Sequence, residues 1–229
     1  MKVAGSASGG VENYALEFDG DDYVECPNTN DEYHIGDHTY MTWVKIENSP
    51  PTGPISILGH YNWRISTNND QPRFSIVYDS TPPSSSDTVI SNINLEVGKW
   101  QHYAAVYDYD AADGWILLYL DGNLVGSTNI GTHAIETNYN EGSQELIMGF
   151  SRHGGAINVI GEQDEVRIYN KALSQEEIQR NMYAELSGNE PNLVGYWDFN
   201  ENGGGILNDI AGVYDCDLNG DPVWVSANN

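Results

Sequence analysis

Short runs in which apolar and polar residues alternate recur along the whole chain, each bounded by Gly, Pro, Asn or Asp. They predict strands at 14–18, 22–26, 39–46, 55–58, 62–67, 73–78, 88–92, 100–107, 115–120, 124–128, 144–149, 164–169, 193–199 and 222–225. Many short strands at this spacing belong to a sandwich or barrel. One run is apolar on both faces: Ile116, Leu118 and Leu120 share one side, Trp115, Leu117 and Tyr119 the other, so it reads as a strand buried on both sides. Asp121-Gly122-Asn123 then supplies a tight hairpin turn into Leu124-Val125. Pro50-Pro51 and Pro82-Pro83-Ser84-Ser85-Ser86 mark surface loops.

One segment breaks the strand pattern. In Ser174-Gln175-Glu176-Glu177 the Ser174 hydroxyl can accept from the Glu177 amide while the Glu177 carboxylate reaches back to the Ser174 amide, a reciprocal helix start. The helix is expected to run to about Leu186 and stop near Gly188. A single helix among strands is a connector, and no strand–helix alternation or glycine-rich helix start suggests a nucleotide fold.

Charge narrows the partners. Nine Lys and Arg face 34 Asp and Glu, a formal net charge of −25 in 229 residues. Such a surface repels phosphate backbones and anionic lipid, which leaves solvated acidity or divalent cations as its use. No apolar run is long enough to span a membrane. Met1-Lys2-Val3-Ala4-Gly5-Ser6 lacks the apolar core of a signal peptide, so the chain reads as a piece of a larger protein with flexible segments at 1–12 and 226–229. The two cysteines, Cys26 and Cys216, lack zinc-knuckle spacing; a disulfide between the two ends of the chain and two unpaired buried thiols are both open.

Four separated segments carry a resemblance. They are Ala15-Leu16-Glu17-Phe18-Asp19-Gly20-Asp21-Asp22-Tyr23-Val24, Gly98-Lys99-Trp100-Gln101-His102-Tyr103-Ala104-Ala105-Val106-Tyr107-Asp108, Leu118-Tyr119-Leu120-Asp121-Gly122, and Asp164-Glu165-Val166-Arg167-Ile168-Tyr169-Asn170-Lys171-Ala172-Leu173-Ser174. In this order, over roughly residues 13–186, the chain resembles the laminin-G-like, concanavalin A-like domains of bacterial extracellular proteins. The tail, Asn192-Leu193-Val194-Gly195-Tyr196-Trp197-Asp198-Phe199 with Asp215-Cys216-Asp217-Leu218, is similar to a segment that often flanks such domains. It is read as strands at 193–225 closing one domain of residues 13–225. The resemblance implies an all-β fold, a two-sheet antiparallel jelly-roll sandwich with one connector helix near 174–186. It further implies a lectin-like module, secreted or at the cell surface, that binds carbohydrate and carries a structural Ca2+. A monomeric module within a larger chain is expected. A protein-interaction or spacer domain of an adhesin is the alternative, and a glycanase a weaker one.

The resemblance places Ca2+ at Asp19, Gly20 and Asp164, with Asp22 as a further oxygen donor. Aromatic rings stack on the C–H faces of sugars, and Arg, Asn and His bond hydroxyls. On that chemistry His60, Tyr61, Asn62, Trp63 and Arg64, together with Arg152 and His153, are the candidate ligand-binding residues. Trp43, Trp100 and Trp197 sit in strand runs and are expected in the core. Catalysis is not expected: in Glu162-Gln163-Asp164-Glu165-Val166-Arg167 an arginine stands where a glycanase of this type carries its last acid, so the carboxylate pair that glycoside hydrolysis needs is missing from the strand.

Overall fold

A computed structural model describes residues 13–27, 36–47, 53–79, 85–109, 113–135, 145–150, 157–212 and 214–227. The strands are β1 (Tyr14–Asp19), β2 (Tyr23–Cys26), β3 (His38–Ile46), β4 (Ser56–His60), β5 (Trp63–Asn68), β6 (Gln71–Asp79), β7 (Ser85–Ile90), β8 (Trp100–Asp108), β9 (Gly114–Leu120), β10 (Asn123–Gly131), β11 (Leu146–Met148), β12 (Ile160–Tyr169), β13 (Leu193–Trp197), β14 (Ile206–Leu207), β15 (Cys216–Asn219) and β16 (Val223–Ser226). The single helix among the described residues is α1 (Gln175–Asn181).

The strands form two antiparallel sheets. Sheet A runs β10-β9-β8-β3-β12-β1-β16, with β13 also paired to β12; sheet B runs β14-β15-β2-β11-β4-β5-β6-β7. Each predicted strand run has a counterpart here, and β14 and β15 are added. The core lies between the sheets, because alternate residues of every strand point to one face. Leu16, Phe18, Tyr40, Val44, Leu118, Val166 and Ile168 of sheet A meet Val24, Ile57, Trp63, Ile65, Phe74, Ile76 and Met148 of sheet B.

β12 organises sheet A. Its first half pairs with β1 and its second half with β13, while β3 runs along the other side. A bulge between Asp164 and Arg167, with Glu165 at φ 56°, separates the halves. The β9–β10 hairpin turns at Asp121 and Gly122, both with positive φ, as a two-residue turn of this hand requires. β9 is not uniformly sealed: Ile116, Leu118 and Leu120 are buried, whereas Trp115 at its start is 38% exposed.

The capping box at Ser174 forms as the sequence predicts, with Ser174 Oγ accepting from the Glu177 amide and Glu177 accepting from the Ser174 amide. The helix ends earlier than expected, at Asn181. The reason is competition for its last carbonyls. Arg167 donates to the Asn181 and Ala184 oxygens, and Trp43 Nε1 donates to the Met182 oxygen at 2.9 Å, so these oxygens bond across to sheet A. Ile178 and Met182 pack on Met41, Ala104, Val106 and Tyr119, which covers the outer face of sheet A. Among the described residues, no helix is long and apolar enough to cross a membrane.

The tail strands close both sheets. β16 pairs with β1, and β15 pairs with β2. Cys26 and Cys216 lie on these neighbouring strands of sheet B and are joined by a disulfide.

Candidate functional site

The turn from β1 into β2 gathers the acidic residues. Asp22 is 3% exposed and both its oxygens are engaged: Oδ2 accepts from the Asp19 amide at 3.0 Å, Oδ1 from the Asp221 amide at 2.8 Å. It thereby ties this turn to the approach to β16. Asp19 Oδ1 accepts from the Asp21 amide, and the Asn158 side chain donates to the Gly20 carbonyl at 2.6 Å. Carboxylate oxygens of Asp19, Asp21 and Asp22 lie within 4.8 Å of one another. A side-chain hydrogen bond between Asp19 and Asp21 holds Asp19 below and Asp21 above the ordinary carboxylate range. Two exposed carboxylates this close offer the oxygens a hard cation prefers, and a cation would relieve their repulsion.

Asp164 does not belong to this cluster. Asp19 pairs with Ile160 and Leu16 with Gln163, so antiparallel register carries Asp164 four positions further along β12, roughly 13 Å away at strand rise. There it is fully buried, with Asn13 donating to Oδ2 and its backbone oxygen accepting from Thr42. Asp21, which the sequence reading passed over, takes its place; its position between Asp19 and Asp22 in one turn was the available signal.

The expected sugar-stacking residue is also placed elsewhere. Trp63 is 1% exposed and stacks on Tyr40 across the core, centroids 3.7 Å apart. His60 is its cross-strand partner and is buried on the same inner side. Asn62 is fully buried, its carbonyl accepting from the Val77 amide at 2.7 Å. Tyr61 sits half-buried in the β4–β5 turn. Trp63 and His60 are therefore structural, sealed by the inward parity of β5 and β4, and Asn62 is sealed in the turn between these strands. Arg152 and His153 lie outside the described residues.

Arg64 has the opposite parity and reaches the outer face of sheet B. Register places Glu25, Ile147, Gly59, Arg64, Ser75 and Thr88 in one row straight across β2, β11, β4, β5, β6 and β7. A parallel row carries Ser56, Ser66, Arg73 and Ile90. A side chain at Gly59 would crowd Arg64, its Cβ falling 3.3 Å from Arg64 Cγ, so glycine lets the arginine lie across β4. Arg73 Nε donates to Ser75 Oγ at 2.9 Å, and Thr88 Oγ1 bonds the same oxygen at 3.2 Å. Burial and then the charge of Arg73 pull Arg64 below its ordinary value, and burial alone does so for Arg73. Sequence reasoning missed Arg73, although the alternation Arg73, Ser75 against Phe74, Ile76 places it outward.

The strand that departs from the glycanase pattern at Arg167 has its charged residues committed structurally. Glu162 pairs with Lys45 at 2.8 Å, Asp164 is sealed, and buried Arg167 pairs with Glu165.

Residues 18–179 match the family model of the concanavalin A-like lectin/glucanases superfamily. The chain belongs to this superfamily. No protein of curated function matches the sequence. Among solved structures, a candidate carbohydrate-binding protein from Bacteroides ovatus superposes with a TM-score of 0.75 at 16% identity, over 95% of this chain and 61% of that one. The chain thus spans about three fifths of that protein. The CBM40 of the Ruminococcus gnavus IT-sialidase, bound to α2,3-sialyllactose, matches at TM-score 0.54 and 13% identity, over 72% of this chain and 95% of that one. The heptameric SAP-like pentraxin of Limulus polyphemus matches at 0.53 and 15%, over 76% and 83%. At these identities the likeness is one of fold. This member of the superfamily keeps one outer face, that of sheet A, under α1, and carries Arg64 and Arg73 on the outer face of the other sheet.

Proposed function

We propose that the chain is a non-catalytic carbohydrate-binding module of a larger secreted or cell-surface protein, and that glycans dock on the outer face of sheet B. The observation that carries this reading is the row Gly59, Arg64, Ser75, Thr88, which sets a guanidinium and two hydroxyls side by side on paired strands. Sugar hydroxyls both donate and accept, and Ser, Thr and Arg supply the complementary groups. Rigid strands hold such groups more accurately than loops. The neighbours whose names concern carbohydrate binding support the same reading.

Ca2+ has a structural part in this proposal. Asp19 and Asp21, with Asp22 behind them, would hold it, and it would fix the β1–β2 turn against the approach to β16. A hydrolase would need two free carboxylates facing one substrate, and the acids of β12 are committed to Lys45, to Arg167 and to burial.

The test is a glycan array with calorimetry on the hits. A shallow site of this kind should give a dissociation constant of about 0.1–1 mM, or roughly 4–5.5 kcal/mol. Arg64→Ala should weaken binding without lowering the melting temperature, and no reducing sugar should be released. Failure of every neutral and acidic glycan to bind would instead favour an interaction or spacer domain.

A further inference from the structure

The protein is strongly acidic, and of its described cations Lys45, Lys99, Arg167 and Lys171 are each held by a carboxylate. Arg73, on the outer face of sheet B, is not. Among the described residues no carboxylate pairs with it; its recorded bond is Nε to Ser75 Oγ. That bond fixes the plane of the guanidinium through one edge and leaves the two terminal nitrogens for another partner. The neighbouring guanidinium of Arg64 lies one strand away and one row across, a diagonal spacing of about 7–8 Å at the backbone. Two positive groups side by side in a chain of net charge −25 oppose each other, and burial weakens the hydration that would screen them.

We infer that the outer face of sheet B takes an acidic saccharide, whose carboxylate or sulfate pairs with the terminal nitrogens of Arg73 beside Arg64. The inference rests on the proposed carbohydrate-binding function and names the class of sugar. A planar guanidinium held from one side presents two parallel N–H groups, the arrangement that carboxylate and sulfate oxygens fit bidentately. The overall negative charge does not forbid this. It repels an anion at long range, but at about 0.15 M salt that repulsion fades beyond about 8 Å, whereas contact pairing in a half-buried site is screened far less. The charge instead selects against long polyanions and in favour of a single acidic residue presented on an otherwise neutral chain.

The experiment is calorimetric titration of the oxidised, full-length chain at fixed salt with three acidic sugars and their neutral counterparts. The pairs are galacturonate and galactose, 3′-sialyllactose and lactose, and galactose 6-sulfate and galactose. At least one acidic member should bind tenfold or more tightly than its counterpart, and the arm that responds identifies uronate, sialate or sulfate. Arg73→Gln should abolish that preference, and Arg73→Lys should restore only part of it. Arg180→Gln removes an equal charge from exposed helix α1 on the other sheet and should leave the preference intact. Unchanged melting temperatures confirm that each variant folds. Equal binding of acidic and neutral members, or a preference that survives Arg73→Gln, overturns the inference while leaving carbohydrate binding standing. No binding of any sugar, including the hits of the array, overturns both.

Discussion

The indole of Trp63 lies on the ring of Tyr40 with centroids 3.7 Å apart and planes 21° from parallel, one ring from each sheet. The contact clamps sheet A to sheet B. Trp63→Ala should therefore cost about 3–5 kcal/mol of stability, because the cavity left in the core cannot fully collapse. Urea unfolding measures the loss, and calorimetry on the protein that stays folded should show glycan affinity unchanged. A stable variant that no longer binds sugar would put the ring in the binding site instead.

The Cys26–Cys216 bond closes a loop with a sequence separation of 190. Chain-entropy reasoning assigns such a closure about 5 kcal/mol. Reduction with dithiothreitol, or the double change Cys26→Ala and Cys216→Ala, should lower the denaturant midpoint by a corresponding amount. A midpoint indifferent to reductant would mean the tail strands hold without the bond.

His102 is buried on sheet A against Trp43, and burial, with the charge of Arg167 adding to it, pushes its pKa down to about 3. The unfolded chain binds a proton near the ordinary value of about 6.5 while the native protein does not, so the stability from neutral His102 is complete above that pH and falls as pH drops toward 3. The slope contributed is about 1.4 kcal/mol per pH unit. Unfolding free energies between pH 6.5 and 4.5 should decline less steeply in His102→Gln than in the native sequence; parallel profiles would remove His102 from the acid response.

Calcium should raise the melting temperature relative to chelator, with a gain of about 2.7 kcal/mol at one hundred times its dissociation constant. Asp19→Asn together with Asp21→Asn should remove the increment, since these exposed carboxylates supply the cluster's uncommitted oxygens. Asp164→Asn should keep it, because register separates Asp164 from the turn. An increment that survives the double change would move the ion elsewhere.

The strands were legible because alternation along each run matched the pleat, and the Ser174–Glu177 box and the Asp121-Gly122 turn carry their own geometry. β14 and β15 fall within the closing strands read at 193–225 but do not separate as runs of their own, because one has two residues and the other alternates Cys216 and Leu218 with polar Asp217 and Asn219, too little apolar signal to stand out. The site was harder. Trp63 and Arg64 are adjacent in sequence but point to opposite faces, and only the second sheet reveals which face is core. Asp164 failed for a related reason: which residue sits beside Asp19 depends on strand register, and register is set by pairing partners distant in the chain. Arg73 could have been found, since outward parity and the scarcity of cations both mark it.

The disulfide has a mechanical consequence. The described chain leaves the fold at one corner, where Tyr14 pairs with Ser226 and the Ala227 amide donates to the Asn13 carbonyl. Tension applied at these two points would peel β1 from β16 pair by pair and then reach Cys26 and Cys216, where the covalent bond carries the load and everything between them is shielded. In a single-molecule pulling experiment the oxidised protein should release only roughly 90 Å of contour, against roughly 700 Å after reduction. The sheet B strands β11 and β4 through β7 sit inside that shielded stretch, so a glycan held there would keep its grip on a strained tether.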